Sequence, residues 1–135
     1  MSCQLLVTGK DFDVDEFLST SLWRENVTVF HQGEPTCSKL QPIRNYSGFS
    51  VDISSQDEES LDRQVQDATE FLERNVLELE RLVAFSHIDE VVLRIGVFWL
   101  ENTVCCQISI PPLLLLLTGK YGISLEINTY LTSAK

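Results

Sequence analysis

The run SQDEESLDRQVQDATEFLERNVLELERLVA, residues 55–84, decides how this chain folds. Within it Leu61, Val65, Ala68, Leu72, Val76, Leu79 and Val83 recur at steps of three and four, the spacing that lines one face of an α-helix with apolar side chains. Ser55 followed three residues later by Glu58 is a capping-box signature, and acidic residues in a first turn suit the positive end of the helix dipole. One long helix over residues 55–84 is therefore expected. Such a helix cannot stand alone in water. Ordering its backbone costs about 1–2 kcal/mol per residue, and the offsetting contribution, on the order of 1.5–3 kcal/mol for each large apolar side chain, requires burial against something. The helix needs a sheet to lie on.

The flanking sequence supplies one. Residues 3–8 read as a buried first strand closed by Gly9, and Asp13 with Glu16 forms a second capping box that opens a short helix through about Leu22. Val27, Val29 and His31 alternate with Thr28, Phe30 and Gln32, and Phe49, Val51 and Ile53 alternate with Ser50, Asp52 and Ser54. Both patterns predict strands, separated by a loop over residues 33–48 that carries Pro35, Pro42 and Asn45. Residues 91–100 are apolar on both faces apart from Arg94 and Gly96, as in a central strand. Glu101-Asn102 reads as a tight connection into a strand over residues 103–110, which would pair back as a hairpin. Pro111-Pro112 then stops that strand and starts a short helix over residues 113–117, and Ile123, Leu125, Ile127 and Thr129 give a last strand. The expected fold is α+β: a largely antiparallel sheet of about six strands with one long and two short helices on one face, ferredoxin-like or an elaboration of it.

Length and charge bound the function. The 135 residues suit one domain, and a hydrophobic share of 44% is enough to close a core. Twenty acidic against ten basic residues leave a formal net charge of -10, which argues against nucleic acid and anionic membrane as partners and favours encounter with a basic protein. Residues 1–20 carry Asp11, Asp13, Asp15 and Glu16 and lack a cationic start followed by an apolar stretch, so a secretory signal is not expected. Cys3, Cys37, Cys105 and Cys106 are irregularly spaced, which favours reduced thiols and a cytoplasmic setting.

No catalytic constellation stands out. Asp11, Asp13 and Asp15 have the opening spacing of a calcium loop, but Glu16 stands where glycine is required and Leu22 where a bidentate glutamate belongs. His31 and Cys37 could pair as base and nucleophile with Glu34 nearby, yet nothing in the sequence orients the imidazole. Cys105 and Cys106 would point to opposite faces of a strand and cannot share a metal. No metal, cofactor or catalytic group is expected. What remains is the acidic helix, where Asp62, Asp67, Glu70, Glu73, Glu78 and Glu80 share a segment with only Arg63, Arg74 and Arg81. Its outer face lacks lysines at i+4, and Leu77 falls outside the apolar stripe among carboxylates, like an anchor inside a charged rim. Asp67, Glu70, Glu73, Leu77 and Glu80 are the expected partner-binding residues.

Several segments together resemble a family of small bacterial single-domain proteins of unknown function that also occurs among polymorphic-toxin immunity genes. They are Leu5-Leu6-Val7-Thr8-Gly9 with Asp11-Phe12-Asp13, residues 48–53, the long helix, and Leu116-Leu117-Thr118-Gly119 with Ile123-Ser124-Leu125-Glu126-Ile127. The resemblance spans nearly the whole chain and supplies no catalytic residues. With the charge, it implies an immunity-type protein that binds and neutralises a basic toxin domain such as a nuclease. Two alternatives stay open: a small-molecule-binding or enzymatic domain that uses the loop with His31, Glu34 and Cys37, and a structural homo-oligomer joined at a sheet edge.

Overall fold

The structure is a computed structural model that describes residues 3–54, 60–102, 104, 105 and 107–132. In chain order its elements are β1 (Gln4–Gly9), α1 (Val14–Ser19), β2 (Val27–Phe30), β3 (Ser47–Asp52), α2 (Leu61–Arg74), α3 (Val76–Ala84), β4 (Glu90–Leu100), α4 (Pro112–Lys120) and β5 (Ser124–Thr132). The fold is α+β, with one mixed sheet in the order β2-β3-β1-β4-β5. β2 with β3, β3 with β1, and β1 with β4 are antiparallel, whereas β4 and β5 run parallel. Helix α1 joins β1 to β2 with β3 lying between them, and α2 with α3 joins β3 to β4 with β1 lying between them.

Register places the apolar positions on one face. Leu5 lies opposite Val51 and Leu93, and Val7 lies opposite Phe49 and Val91. These side chains form one core with Val65, Ala68 and Leu72 of α2, Leu79 and Leu82 of α3 and Leu114 of α4. Between α1 and the sheet the core is aromatic: Phe17 stacks on Phe49 at 5.5 Å and meets Phe85 edge-on at 5.2 Å. Such ring pairs contribute about 0.5–1.5 kcal/mol beyond their area. Gly48 is required where β3 passes β1, because a Cβ there would lie 2.1 Å from the Val7 carbonyl oxygen.

Three expectations need correction. The hairpin partner for β4 is absent, since the described residues of 103–110 contain no strand, and the sheet has five strands rather than six. β4 instead pairs with β5 in parallel, from Val92 opposite Ser124 to Leu100 opposite Thr132. A parallel neighbour requires a crossover of a dozen or more residues, and the segment after Leu100, with α4 inside it, provides that length. The short first helix ends at Ser19 rather than near Leu22, although its N-terminus is as expected: the Asp13 carboxylate accepts from the Glu16 amide at 3.1 Å.

The third correction concerns the long helix. It is two helices, which makes four in all among the described residues, and α2 is capped by Ser60, whose hydroxyl accepts from the Arg63 amide at 3.3 Å. The expected cap at Ser55 and Glu58 lies outside the described residues. Asn75 interrupts the run with φ -114° and ψ 31°. Its Nδ2 donates to the Phe71 carbonyl at 2.8 Å, and its Oδ1 accepts from the Trp23 indole N–H at 3.0 Å. Leu72, Leu79 and Leu82 are buried with Asn75 and Val76 half-buried between them, and Val83, expected in the core, is 61% exposed. Val76 packs against the core as the spacing predicts, so the apolar stripe holds through Leu79 and slips only at Val83.

Two buried polar arrangements fix the helices. Gln64 is fully buried; its Nε2 donates to the Gly96 carbonyl at 2.6 Å, and its Oε1 accepts from the Gly96 amide at 3.1 Å. β1 stops pairing at Arg94, so Gln64 serves the β4 backbone just beyond the end of its strand neighbour. Glu78, counted above among the solvent-facing carboxylates, is buried and accepts from Arg81 Nη1 at 2.8 Å. Arg81 also donates to the Phe17 carbonyl at 2.7 Å and to the Thr20 hydroxyl, with its guanidinium 4.3 Å from the Phe17 ring, which ties α3 to α1.

Gln64→Leu keeps the volume and strands both Gly96 groups, so chemical denaturation should show a loss of roughly 2–4 kcal/mol. The neighbouring exposed change Gln66→Leu should stay within about 0.5 kcal/mol. Arg81→Met leaves the Glu78 charge without its partner and should cost about 3 kcal/mol in the same measurement. A loss below about 1 kcal/mol would show that Glu78 is satisfied by another group.

Candidate partner-binding surface

The outer side of α2 and α3 is two bands rather than one ridge. On the first, Arg63 Nε stands 3.4 Å from the Asp67 carboxylate and Arg74 Nη2 stands 3.8 Å from that of Glu70. Both are i,i+4 pairs on the same helix, so the arginines supply the compensation that the lysine-free pattern had suggested was missing. With Ile53, Phe71 and Asn75, these four residues line a cleft of about 350 Å³. Two cations and two anions share it, and it has no net preference for either sign. Asp67 and Glu70, both half-buried, therefore fail as free anionic contacts.

On the second band the expected features are present. Leu77 is 80% exposed. Glu73 and Glu80 are exposed, and neither takes part in an ion pair among the described residues. Asp62 and Gln66 are exposed on α2, and the face turns over a second cleft, of about 570 Å³, against Ser109, Pro111 and Leu113. Asp62, Glu70 and Glu73 are its charged residues, and no Lys, Arg or His lines it. Residues 109–113 were not singled out from the sequence. Their Pro-Pro-Leu signal was read only as a strand end and helix start, and what they face depends on how the crossover returns to the sheet.

The loop of His31, Glu34 and Cys37 also differs from expectation. The imidazole is held: Nε2 lies 3.0 Å from one Asp15 carboxylate oxygen and 3.1 Å from the other. Nδ1 lies 3.5 Å from Glu34, whose carboxylate also accepts from the His31 amide. The Asp15 hydrogen bond, helped by the charges of Asp15 and Glu34, raises the His31 pKa above its usual 6.5 against an opposing desolvation. With a carboxylate at each ring nitrogen, the imidazole joins α1 to the end of β2 and has neither nitrogen directed at a thiol. Cys37 is exposed and free, in a loop closed by Thr36 N–H to the Pro42 carbonyl and Arg44 N–H to the Glu34 carbonyl, each at 2.8 Å. Cys3 is enclosed in the core, and burial pushes its thiol up to about 12. Cys105 is exposed and free, and Cys106 lies outside the described residues.

The three aspartates near the start of the chain have separate tasks. Asp13 caps α1, Asp15 holds His31, and Asp11, with φ 62°, donates its amide to the Gln32 side chain at 3.0 Å. No group of three or more His, Cys, Asp or Glu among the described residues is placed to hold a metal ion. His87 is an exposed loop residue with φ 67°. Among the described residues no helix is long and apolar enough to cross a membrane.

No protein-family model, curated protein or solved structure matches this chain.

The His31 contacts have a measurable consequence. NMR titration should place its imidazole above 6.5, and Asp15→Asn should bring it back towards that value. Because the folded value is the raised one, the stabilising contribution is complete below pH 6.5 and disappears as pH rises through the folded value. An unshifted imidazole in the wild-type chain would show that the Asp15 contact does not persist in solution.

Proposed function

We propose that this chain is a protein-binding module whose second band, centred on Glu73, Leu77 and Glu80, captures a basic partner. In its narrower form the proposal is a cytoplasmic immunity-type inhibitor that covers the active site of a basic toxin domain such as a nuclease. The observation that carries it is Leu77, a large apolar side chain 80% exposed on a helix whose neighbouring Glu73 and Glu80 have no ion-pair partner among the described residues. Exposed leucines are common singly. One ringed by unpaired carboxylates on a chain of net charge -10 fits the anatomy of an interface anchor with a polar rim.

The mechanism is electrostatic capture followed by apolar seating. The summed negative potential raises the encounter rate with a cationic surface, and the carboxylates then occupy positions that phosphates would take on a nucleic-acid enzyme. Asp67 and Glu70 add to the long-range field, but their nearby arginines remove them from direct contact. For the scaffold, we propose that β1 to β4 with α1 and α2 form an elaborated ferredoxin-like unit to which α4 and β5 are appended. The two interleaved strand-helix-strand connections and the β2-β3-β1-β4 order support that reading.

The test uses the basic protein that the native chain retains on affinity capture from its host. Glu73→Lys combined with Glu80→Lys should slow association about tenfold at low salt with circular dichroism unchanged, and the difference should shrink as salt screens the charges. Leu77→Ala should act mainly on dissociation. Unchanged kinetics in both variants would remove this band as the interface.

A further inference from the structure

The second cleft names the chemistry of what docks. We infer that the groove between α2 and residues 109–113 receives a cationic amphipathic segment of the partner protein, its apolar side chains lying on Val65, Pro111 and Leu113 and its lysines or arginines reaching Asp62 and Glu73. The inference rests on the reading above, that a basic protein is bound by this side of the molecule, and adds the groove and the form of the ligand.

Three observations carry it. The groove has opposed walls of different character, with carboxylates along α2 and apolar Pro111 and Leu113 across from them. Its charge has one sign. Asp62 and Glu73 line it without a cation, whereas Glu70 is shared with the neighbouring cleft on the other side of α2, where two arginines stand beside it and Asp67. A cationic ligand is thus favoured on one side of the helix and met by like charge on the other. The groove also continues into exposed apolar surface, since Leu113, Leu115 and Leu116 of α4 are all exposed while Leu114 and Thr118 are turned into the core. An anionic lipid surface or nucleic acid is repelled by the carboxylate wall, and a small inorganic cation gains nothing from the apolar one. A segment with cations along one edge and aliphatic side chains along the other satisfies both walls, which is the helix-in-groove mode of recognition with charges added at the rim.

The test compares two synthetic peptides of equal positive charge, one with leucines at i, i+3, i+4 and i+7 among lysines and the other with serines in place of the leucines. Each is titrated into the full chain by fluorescence anisotropy at about 0.15 M salt. The leucine-bearing peptide should bind about tenfold tighter or better. Its amide shifts should map to Val65, Gln66, Thr69 and Leu113. Leu113→Asn should weaken that peptide about tenfold and leave the serine peptide unaffected. If Leu113→Asn fails to fold, Leu113→Ala asks the same question with a smaller change. Equal affinity for the two peptides would overturn the groove while leaving electrostatic capture standing, and no binding of either would remove both. Shifts confined to Leu77, or concentration-dependent self-association that moves the same groove residues without peptide, would assign the site elsewhere or to a second copy and overturn the inference.

Discussion

Asn75 bonded to the indole of Trp23 is the contact on which the arrangement of the outer surface depends. A helix of this length has one apolar line, and at the turn after Leu72 the inward side is shared by Val76 and a half-buried amide, Asn75. Left unpaired, a half-buried amide would cost on the order of 1–3 kcal/mol. Here its nitrogen is satisfied by the Phe71 carbonyl and its oxygen by Trp23, whose ring stacks on Phe71 at 5.6 Å. The interaction lets the buried line run past Asn75 to Leu79 and Leu82. The same phase that turns these leucines inward turns Leu77 out, and it sends Glu78 into the interior towards Arg81. Exposed anchor and buried carboxylate are two results of one rotation.

Charge on a helix is a matter of neighbours at i+4 more than of totals. Arg63 and Arg74 add little to stability, since exposed pairs of this kind contribute about 0.3–0.5 kcal/mol. Their effect is on what the surface can bind. By standing beside Asp67 and Glu70 they make one flank of α2 neutral and leave the other flank, with Asp62 and Glu73, negative. A net charge of -10 is therefore distributed unevenly around a single helix, and the direction of the unevenness selects the flank that faces α4.

Much of the scaffold was legible because local rules determine it. Asp13 with Glu16, the alternation around Phe49 and Val51, and the stripe from Leu61 to Leu72 depend on residues within a few positions of one another, and the structure follows them. What could not be read involves partners far along the chain. The parallel pairing of β4 with β5 arises because a central strand needs a second neighbour, and residues 103–110, written with alternating apolar positions, look like the nearer candidate. The Asp15 contact that orients His31, and the Trp23 contact that orients Asn75, join residues whose proximity exists only after β1, β2 and β3 have assembled. For the proposed binding surface, the outward placing of Glu73, Leu77 and Glu80 could be found from helical spacing. The pairing of Asp67 and Glu70 with arginines could also have been found, by counting arginines as well as lysines four residues to either side. The opposite wall of the groove could not, because Pro111 and Leu113 reach α2 only through the crossover.

The crossover is what gives the outer flank of α2 a second wall, the feature on which the proposed binding face rests. Had β4 turned back into a hairpin, the segment after it would have lain in the sheet, and the outer flank of α2 would have bordered water alone. Sending the chain over the helical side to reach β5 instead places a leucine-rich helix next to the carboxylates, with only Leu114 and Thr118 fully committed to the core. Apolar side chains left exposed beside unpaired charge are costly to solubility and contribute nothing to the fold. At the junction of α2 and α4 the proposed ligand has to cover both kinds of group at once, and a cationic amphipathic segment is the simplest chemistry that does so.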